Sequence, residues 1–313
     1  MTGLKSMSNC IRKCKKMMSR TQEEITAKWP KEWSIPVVCI RCTTYNHESY
    51  IAQALDGFIM QETDFPFEVI VHDDASTDKT ADIIREYAAK YPKIIKPIYE
   101  TENQYSKKDN SLRKIMDNAC KGEFMAICEG DDYWIDPLKL QKQVDYLRAH
   151  PKCSLVRTEI NRLYQKTGFV EKCFFTKIKK ENNRDTLEDY IWNAWFAAPC
   201  TWLYRSDIPP RPSLNGKKYF IGDILMLLNF ASFGDIHFMP DVTAVYRILD
   251  NSASHFKRPI DSYRFWCLVK NTRKYYAKRM PFLFQLKFFF FVKRQHIHAM
   301  KALICASLKR LLK

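Results

Sequence analysis

The first half of the chain switches repeatedly between short apolar runs and segments with helical spacing. Val37 to Cys42 is apolar and β-branched, which reads as a buried strand, and Thr43-Thr44-Tyr45-Asn46 is its polar exit. From Glu48 to Met60 the apolar residues Ile51, Leu55, Phe58 and Ile59 share one side of a helix. Phe67 to Val71 is a second strand, ending in His72-Asp73-Asp74. Ser76 and Asp78-Lys79-Thr80 open another helix, with Ile83, Ile84 and Tyr87 as its apolar face. A third strand is predicted at Ile94 to Tyr99, a helix at Ser111 to Lys121 and a fourth strand at Phe124 to Cys128. Pro137 suits the first turn of a helix that runs to about His150, with Leu138, Val144 and Leu147 inward.

Strands that alternate with helices predict a parallel α/β sheet, whose ligands bind beyond the carboxyl ends of the strands. Three such ends carry polar clusters, Thr43–Asn46, Asp73–Asp78 and Glu129–Asp132, so they are expected to converge on one edge. The second half is less regular. Leu155 to Tyr164 and Val170 to Lys177 are candidate strands, and Thr186 to Ala194 a helix. Phe196 to Tyr204 is extended and aromatic, Asp223 to Phe233 is an apolar helix behind Gly222, and Val242 to Arg247 is a short strand. No repeat or low-complexity linker is present. The expected organisation is an arm at 1–35, a catalytic-sized domain at 36–256 and an extension at 257–313.

Charge sharpens that division. The net +16 is concentrated at the two ends: residues 257–313 carry 15 Lys and Arg against Asp261 alone, and residues 1–36 carry a net +5, which leaves the middle at −3. A solvated surface accounts for any one charge run; two basic ends around a near-neutral core also suit an anionic membrane, lipid phosphate or nucleic acid. Abundant aromatics and scarce glycine exclude a disordered or fibrous chain. The 11 cysteines are odd in number, and Cys39 and Cys42 face opposite sides of a strand, so reduced thiols in a cytosolic setting are expected rather than a disulfide framework or zinc site. The first 30 residues lack an apolar core of signal-peptide length, and no apolar run reaches the ~18 residues of a spanning helix.

The richest chemistry lies in Ala126-Ile127-Cys128-Glu129-Gly130-Asp131-Asp132-Tyr133-Trp134. Three carboxylates at the mouth of a buried strand repel one another and lose hydration, which is costly without a cation. Oxygen ligands without histidine or cysteine point to Mg²⁺ or Mn²⁺, ions that bridge carboxylates to substrate phosphates. Asp73-Asp74-Ala75-Ser76-Thr77-Asp78 has two readings, a helix cap and an acceptor for a uracil N–H or a ribose hydroxyl.

These three clusters, in this order and spacing and followed by Tyr133-Trp134-Ile135-Asp136-Pro137-Leu138-Lys139-Leu140-Gln141-Lys142-Gln143, resemble the family 2 glycosyltransferases, in particular those that build bacterial surface polysaccharides. The similarity covers about 36–250. It implies an α/β GT-A fold, a Rossmann-like, mostly parallel sheet flanked by helices, here with a C-terminal amphipathic helical extension. It also implies a nucleotide-sugar donor, a divalent metal (Mn²⁺ or Mg²⁺) and inversion at the anomeric carbon. By position, Tyr45, Asp73 and Asp74 would hold the nucleoside, with Thr43, Asn46 and Asp132 in the same donor-binding set. Glu129 and Asp131 would form the metal motif, Asp131 being the direct ligand. Gly222-Asp223-Ile224-Leu225 stands where the family carries its catalytic carboxylate, so Asp223 would take the proton from the attacking hydroxyl; a plain helix cap is the other reading. Arg247 is either a phosphate contact or half of an ion pair. Family members often follow this position closely with a histidine; here Leu249 lies near that place, and the later His255 reads as a surface residue.

Trp192, Trp195, Phe196 and Trp202 read either as core packing or as a sugar-stacking surface beside Thr201. At the far end, Phe282 to Val292 is strongly apolar. Beyond it Ile297, Met300, Ile304, Leu308 and Leu311 keep helical spacing, opposed by a basic line of Lys287, Arg294, Lys301 and Lys309. That pattern suits an interfacial helix on an anionic membrane, and equally a helix packed on protein. The combined expectation is a peripheral enzyme on the cytoplasmic face of a bacterial membrane, transferring to a saccharide or lipid-linked acceptor. Two other classes are a catalytically inactive nucleotide-sugar-binding subunit and a nucleic-acid-binding protein; no nucleic-acid-binding signature supports the latter.

Overall fold

The computed structural model describes residues 20–178, 185–193, 198–209, 222–250 and 258–311. Most of the basic arm, Trp195, Phe196 and His255 lie outside these residues, as do the side chains of Ile304, Leu308, Lys309 and Leu311. The chain forms two compact units, one of 1–178, 199–207 and 237–247, the other of 179–198, 208–236 and 248–313.

The first unit is built on the alternating pattern. After a short helix α1 (Gln22–Thr26) come β1 (Val38–Thr44), α2 (Ile51–Ile59), β2 (Phe67–Asp73), α3 (Thr80–Lys90), β3 (Ile95–Tyr99), α4 (Gln104–Lys107), α5 (Ser111–Ala119) and β4 (Phe124–Ile127). Strands β3, β2, β1 and β4 lie side by side and parallel. Val38, Ile40, Val69, Val71, Phe124 and Ala126 are fully buried, as expected for strands covered on both faces. The register sets Thr44 opposite Asp73 and Asp73 opposite Tyr99, so the polar exits share one edge.

Beyond β4 the sheet becomes antiparallel. It continues through β5 (Tyr133–Trp134), α6 (Lys139–Ala149), β6 (Cys153–Tyr164), β7 (Phe169–Glu171), α7 (Phe174–Ile178), β8 (Leu203–Arg205) and β9 (Asp235–Ile248). β8 pairs antiparallel with both β4 and β6, and β5 with β9, which completes the order β3-β2-β1-β4-β8-β6-β9-β5. Helix α2 rides directly on β5: a Cβ at Gly57 would lie 2.8 Å from the Trp134 backbone nitrogen, so only glycine allows this approach.

Four local expectations are corrected. Pro137 precedes the helix, because the Asp136 carboxylate accepts the Leu138 N–H (2.9 Å) in a turn that delays its start to Lys139. Val170–Lys177 is not one strand. Cys173 adopts a left-handed φ of 52°, and the buried Glu159 carboxylate then accepts the N–H groups of Phe175 and Thr176 (2.8 and 2.7 Å), capping α7 from a distant strand. Val242–Arg247 is the end of a 14-residue strand whose first half is obscured by Pro240 and by charged and polar residues. The segment before Arg205 contains a 3₁₀ turn, Pro199–Thr201, in which Thr201 is fully buried, as is Trp202 beyond it; both pack the core rather than line a sugar site. The last part of the expected arm also belongs to the first unit: Trp29 is buried and its indole N–H donates to Thr63 (3.0 Å).

The second unit is helical, with α8 (Leu187–Trp192), α9 (Gly222–Phe233), α10 (Pro259–Ala277) and α11 (Phe282–Leu311). Thr186 and Asp189 form a capping box at the start of α8. The Arg273 guanidinium of α10 donates to the carbonyls of Ile191 and Trp192 at its end. Trp192 packs on Phe284, Phe288 and Phe291 of α11, with ring centroids 4.9–5.4 Å apart. Among the described residues no helix is long and apolar enough to cross a membrane. The eight cysteines whose side chains are described are free, and six of them are buried.

Candidate active site

The three polar exits meet at the carboxyl edge of β1, β2 and β4. Asn46 holds the first two together. It adopts a left-handed φ of 53°, which asparagine tolerates better than most residues. Its N–H donates to Ser76 Oγ (2.9 Å), and its Oδ1 accepts the Thr77 N–H (2.8 Å). The Ser76 hydroxyl in turn donates to Asp73. Asp73 is buried, and loss of hydration pushes its carboxyl pKa upward despite that hydrogen bond. Asp78 and Glu48 exchange main-chain contacts: Asp78 accepts from the N–H groups of Thr80 and Glu48 (2.9 and 3.1 Å), and Glu48 from Lys79 (3.0 Å).

Asp74 is buried at the β2 exit. Both carboxylate oxygens receive backbone N–H groups, from Gln104 (2.7 Å) and Tyr105 (3.0 Å), so it anchors the loop and short helix that follow β3. Tyr45 remains 45% exposed at the β1 exit, presenting an aromatic face.

The third exit separates its carboxylates by burial. Glu129 is exposed, Asp131 half-buried and Asp132 buried. Asp132 Oδ1 accepts the Arg247 N–H (2.8 Å), tying the turn to β9. Burial first, then the neighbouring Asp131 charge, holds the Asp132 carboxyl well above the usual carboxylate range. The electrostatic cost thus comes from burial and one neighbouring acid. Gly130 makes the turn possible: a Cβ there would stand 2.6 Å from Thr44 Oγ1. The Gly130 N–H donates to the Thr43 carbonyl (3.0 Å), extending the β1–β4 ladder into the site.

Arg247 is held by aromatic rings and amides within the chain. Its buried guanidinium lies between the rings of Tyr50 and Tyr133, at 5.0 and 4.8 Å from their centroids, and donates to the side-chain oxygens of Gln53 and of Gln165 (2.7 Å). His47 was not singled out from the sequence. Its Nδ1 is buried with no hydrogen-bond partner among the described residues, as is Thr44 Oγ1. Burial lowers its pKa while the charges of Asp131, Asp78 and Asp73 oppose that shift. A polar residue directly after the Asn46 pivot was the available signal. Asp223 stands exposed in the first turn of α9, in the second unit.

Among the described residues no three His, Cys, Asp or Glu side chains gather as a ready-made cage. What the edge offers is Asp131 with Glu129 beside it, oxygen ligands only. This donor set fits Mg²⁺ or Mn²⁺, which take one or two carboxylates and complete their shell with water and substrate phosphate.

The chain is similar to several known proteins. An uncharacterised protein of Mycobacterium tuberculosis is 37% identical over 223 residues, which are 71% of this chain and 62% of that protein; the match thus spans less than two thirds of this relative. The crystal structure of TarS (residues 1–349) of Staphylococcus aureus in complex with UDP-GlcNAc superposes with a TM-score of 0.52 at 19% identity, over 77% of this chain and 70% of the other. A mannosyltransferase of Pyrobaculum calidifontis, in complex with GDP-Man and Mn²⁺, does so with a TM-score of 0.56 at 19% identity, over 96% and 81%. Both likenesses show the GT-A fold. The model of the family described as Glycosyl transferase family 2 matches residues 39–208, from the second residue of β1 to the loop beyond β8 and so across all three polar exits: the chain belongs to glycosyltransferase family 2.

Proposed function

We propose that this chain is an inverting, metal-dependent transferase that moves a sugar from a nucleotide donor, a UDP-sugar, to a saccharide or lipid-linked acceptor in bacterial surface glycan synthesis. The observation that carries the reading is the three-way separation at the β4 exit, which leaves Asp131 at the edge while Asp132 is locked inward. Asp131, with Glu129, would hold the Mn²⁺ or Mg²⁺, which when bound supplies positive charge to the departing diphosphate. Tyr45 would stack on the nucleobase and Asp73 accept from the nucleoside. Asn46 would fix the β1 exit beneath it, and Asp74 would shape the pocket through the Gln104–Tyr105 backbone. Thr43, Asp132 and Arg247 would support the donor site from behind. Asp223 is proposed as the base that takes the proton from the acceptor hydroxyl, a task that needs a carboxylate ionised near neutral pH.

On this reading residues 36–256 make the transferase domain, and 257–313 place it peripherally on the inner face of the membrane. Release of UDP from a panel of UDP-sugars tests the proposal. Wild type should turn over one donor slowly without acceptor, Asp131→Asn should lose turnover and donor binding, and Asp223→Asn should lose turnover while still binding UDP. Equal turnover by all three proteins would refute it.

A further inference from the structure

Helix α11 has two apolar faces, and among the described residues the fold uses one. Phe284, Phe288 and Val292 are 8%, 2% and 3% exposed and face inward, where Phe284 and Phe288 meet Trp192. On the other side Phe282, Leu286, Phe289, Ile297 and Met300, at steps of four, three, eight and three residues, share one helix face, with Leu283 and Phe290 beside them. Phe282 is 79% exposed, Phe289 53% and Phe290 60%. A helix on a soluble surface shows water a polar face. Here the outward face is apolar too, along about 27 Å of helix from 282 to 300 at 1.5 Å per residue.

The cations are not opposite this stripe, as the sequence pattern suggested. Lys287, Arg294 and Lys301 recur every seven residues along one border of it, and Lys293 stands within it; all four are exposed. That placement lets long side chains lift their charges to a headgroup layer while the rings sit deeper. It also argues against a second copy as the occupant. An antiparallel two-fold pairing through this face would bring the cationic borders together, and a parallel one would still bury Lys293, in a segment with 15 Lys and Arg and a single acid.

We propose that the outer face of α11 is a docking surface for an anionic lipid bilayer, with the helix lying in the interface plane, Phe282, Leu286, Phe289 and Phe290 among the acyl chains and Lys287, Lys293 and Arg294 at the phosphates. This deepens the membrane placement proposed above and rests on it, and it requires no transferase activity.

The test is sedimentation of the full chain with phosphatidylcholine vesicles, with and without phosphatidylglycerol, at low and high salt. Wild type should bind the anionic vesicles at least about tenfold more tightly than the neutral ones, and less tightly at high salt. The double variant Phe289→Ser, Phe290→Ser should lose at least about tenfold in binding, and Lys287→Gln, Arg294→Gln should lose the preference for anionic lipid. Circular dichroism and UDP titration of each variant should match wild type, since these side chains are exposed. Wild type left in the supernatant, or undiminished binding by the double phenylalanine variant, would overturn the proposal. So would a lipid-free dimer that this variant dissolves, which would make the occupant a second copy. Vesicle binding that persists in a protein unable to bind UDP would fault the transferase reading alone.

Discussion

Gly130→Ala is the sharpest perturbation of the acidic turn. The added carbon would lie 2.6 Å from Thr44 Oγ1, 2.8 Å from Thr44 Cβ and 3.0 Å from Ile51 Cδ1. Neither neighbour can give way easily, since Ile51 is fully buried and Thr44 belongs to β1. The turn is also held on both sides, by the Gly130 N–H to the Thr43 carbonyl (3.0 Å) and the Arg247 N–H to Asp132 (2.8 Å). Overpacking of this kind costs about 1–3 kcal/mol. If the turn moves instead, Asp131 leaves its place, and a metal that demands near-ideal geometry is held more weakly. We expect Gly130→Ala to lower unfolding stability in urea by about 1–3 kcal/mol. In the presence of Mn²⁺, UDP affinity should fall at least about tenfold, equivalent to ~1.4 kcal/mol. Adding Thr44→Ala removes the closest contact but leaves the Cβ, so recovery should be partial. A Gly130→Ala protein that matches wild type in both stability and affinity would refute the tight-turn account.

Further outcomes follow from buried groups. Lys139 is fully buried, donates to Gln143 (2.7 Å), and is pushed down to about 7 by burial. Its ammonium is disfavoured in the fold, so the stability it contributes is complete above the ordinary lysine value of 10.5 and is lost as pH falls toward about 7. Lys139→Met should therefore flatten the rise in urea midpoint between pH 7 and 9; an unchanged slope would contradict the assignment. Asp74→Ala deprives two N–H groups of their acceptor and should cost about 1–3 kcal/mol, with faster amide exchange at Gln104 and Tyr105 and little change elsewhere. Ala75 sits at a left-handed φ of 62°, so Ala75→Gly should stabilise by about 0.5–1 kcal/mol in thermal or urea melts, and a loss would show that this backbone relaxes in solution.

The parallel half of the sheet and its polar edge were readable because each strand is a compact apolar run with a polar exit, and the exits are local strings. The sequence did not show how the acids divide their labour. Asp74 takes its partners from a loop some 30 residues downstream, and Asp132 from β9, 115 residues away. Glu159 caps a helix that its own strand gives no hint of. Arg247 had two readings, a phosphate contact and an ion pair; its aromatic and amide surroundings, Tyr50, Gln53, Tyr133 and Gln165, are distant in sequence and could not be read locally. On α11 the heptad-spaced cations were legible, but which apolar face was already occupied depended on Trp192 and so on tertiary packing.

The most direct measurement is calorimetric titration of UDP into the full chain, with Mn²⁺ and with chelator, for wild type and Asp131→Asn. The account predicts binding that requires both the metal and Asp131. Equal binding by the variant, or binding indifferent to chelator, would contradict a metal-bridged donor site at the β4 exit.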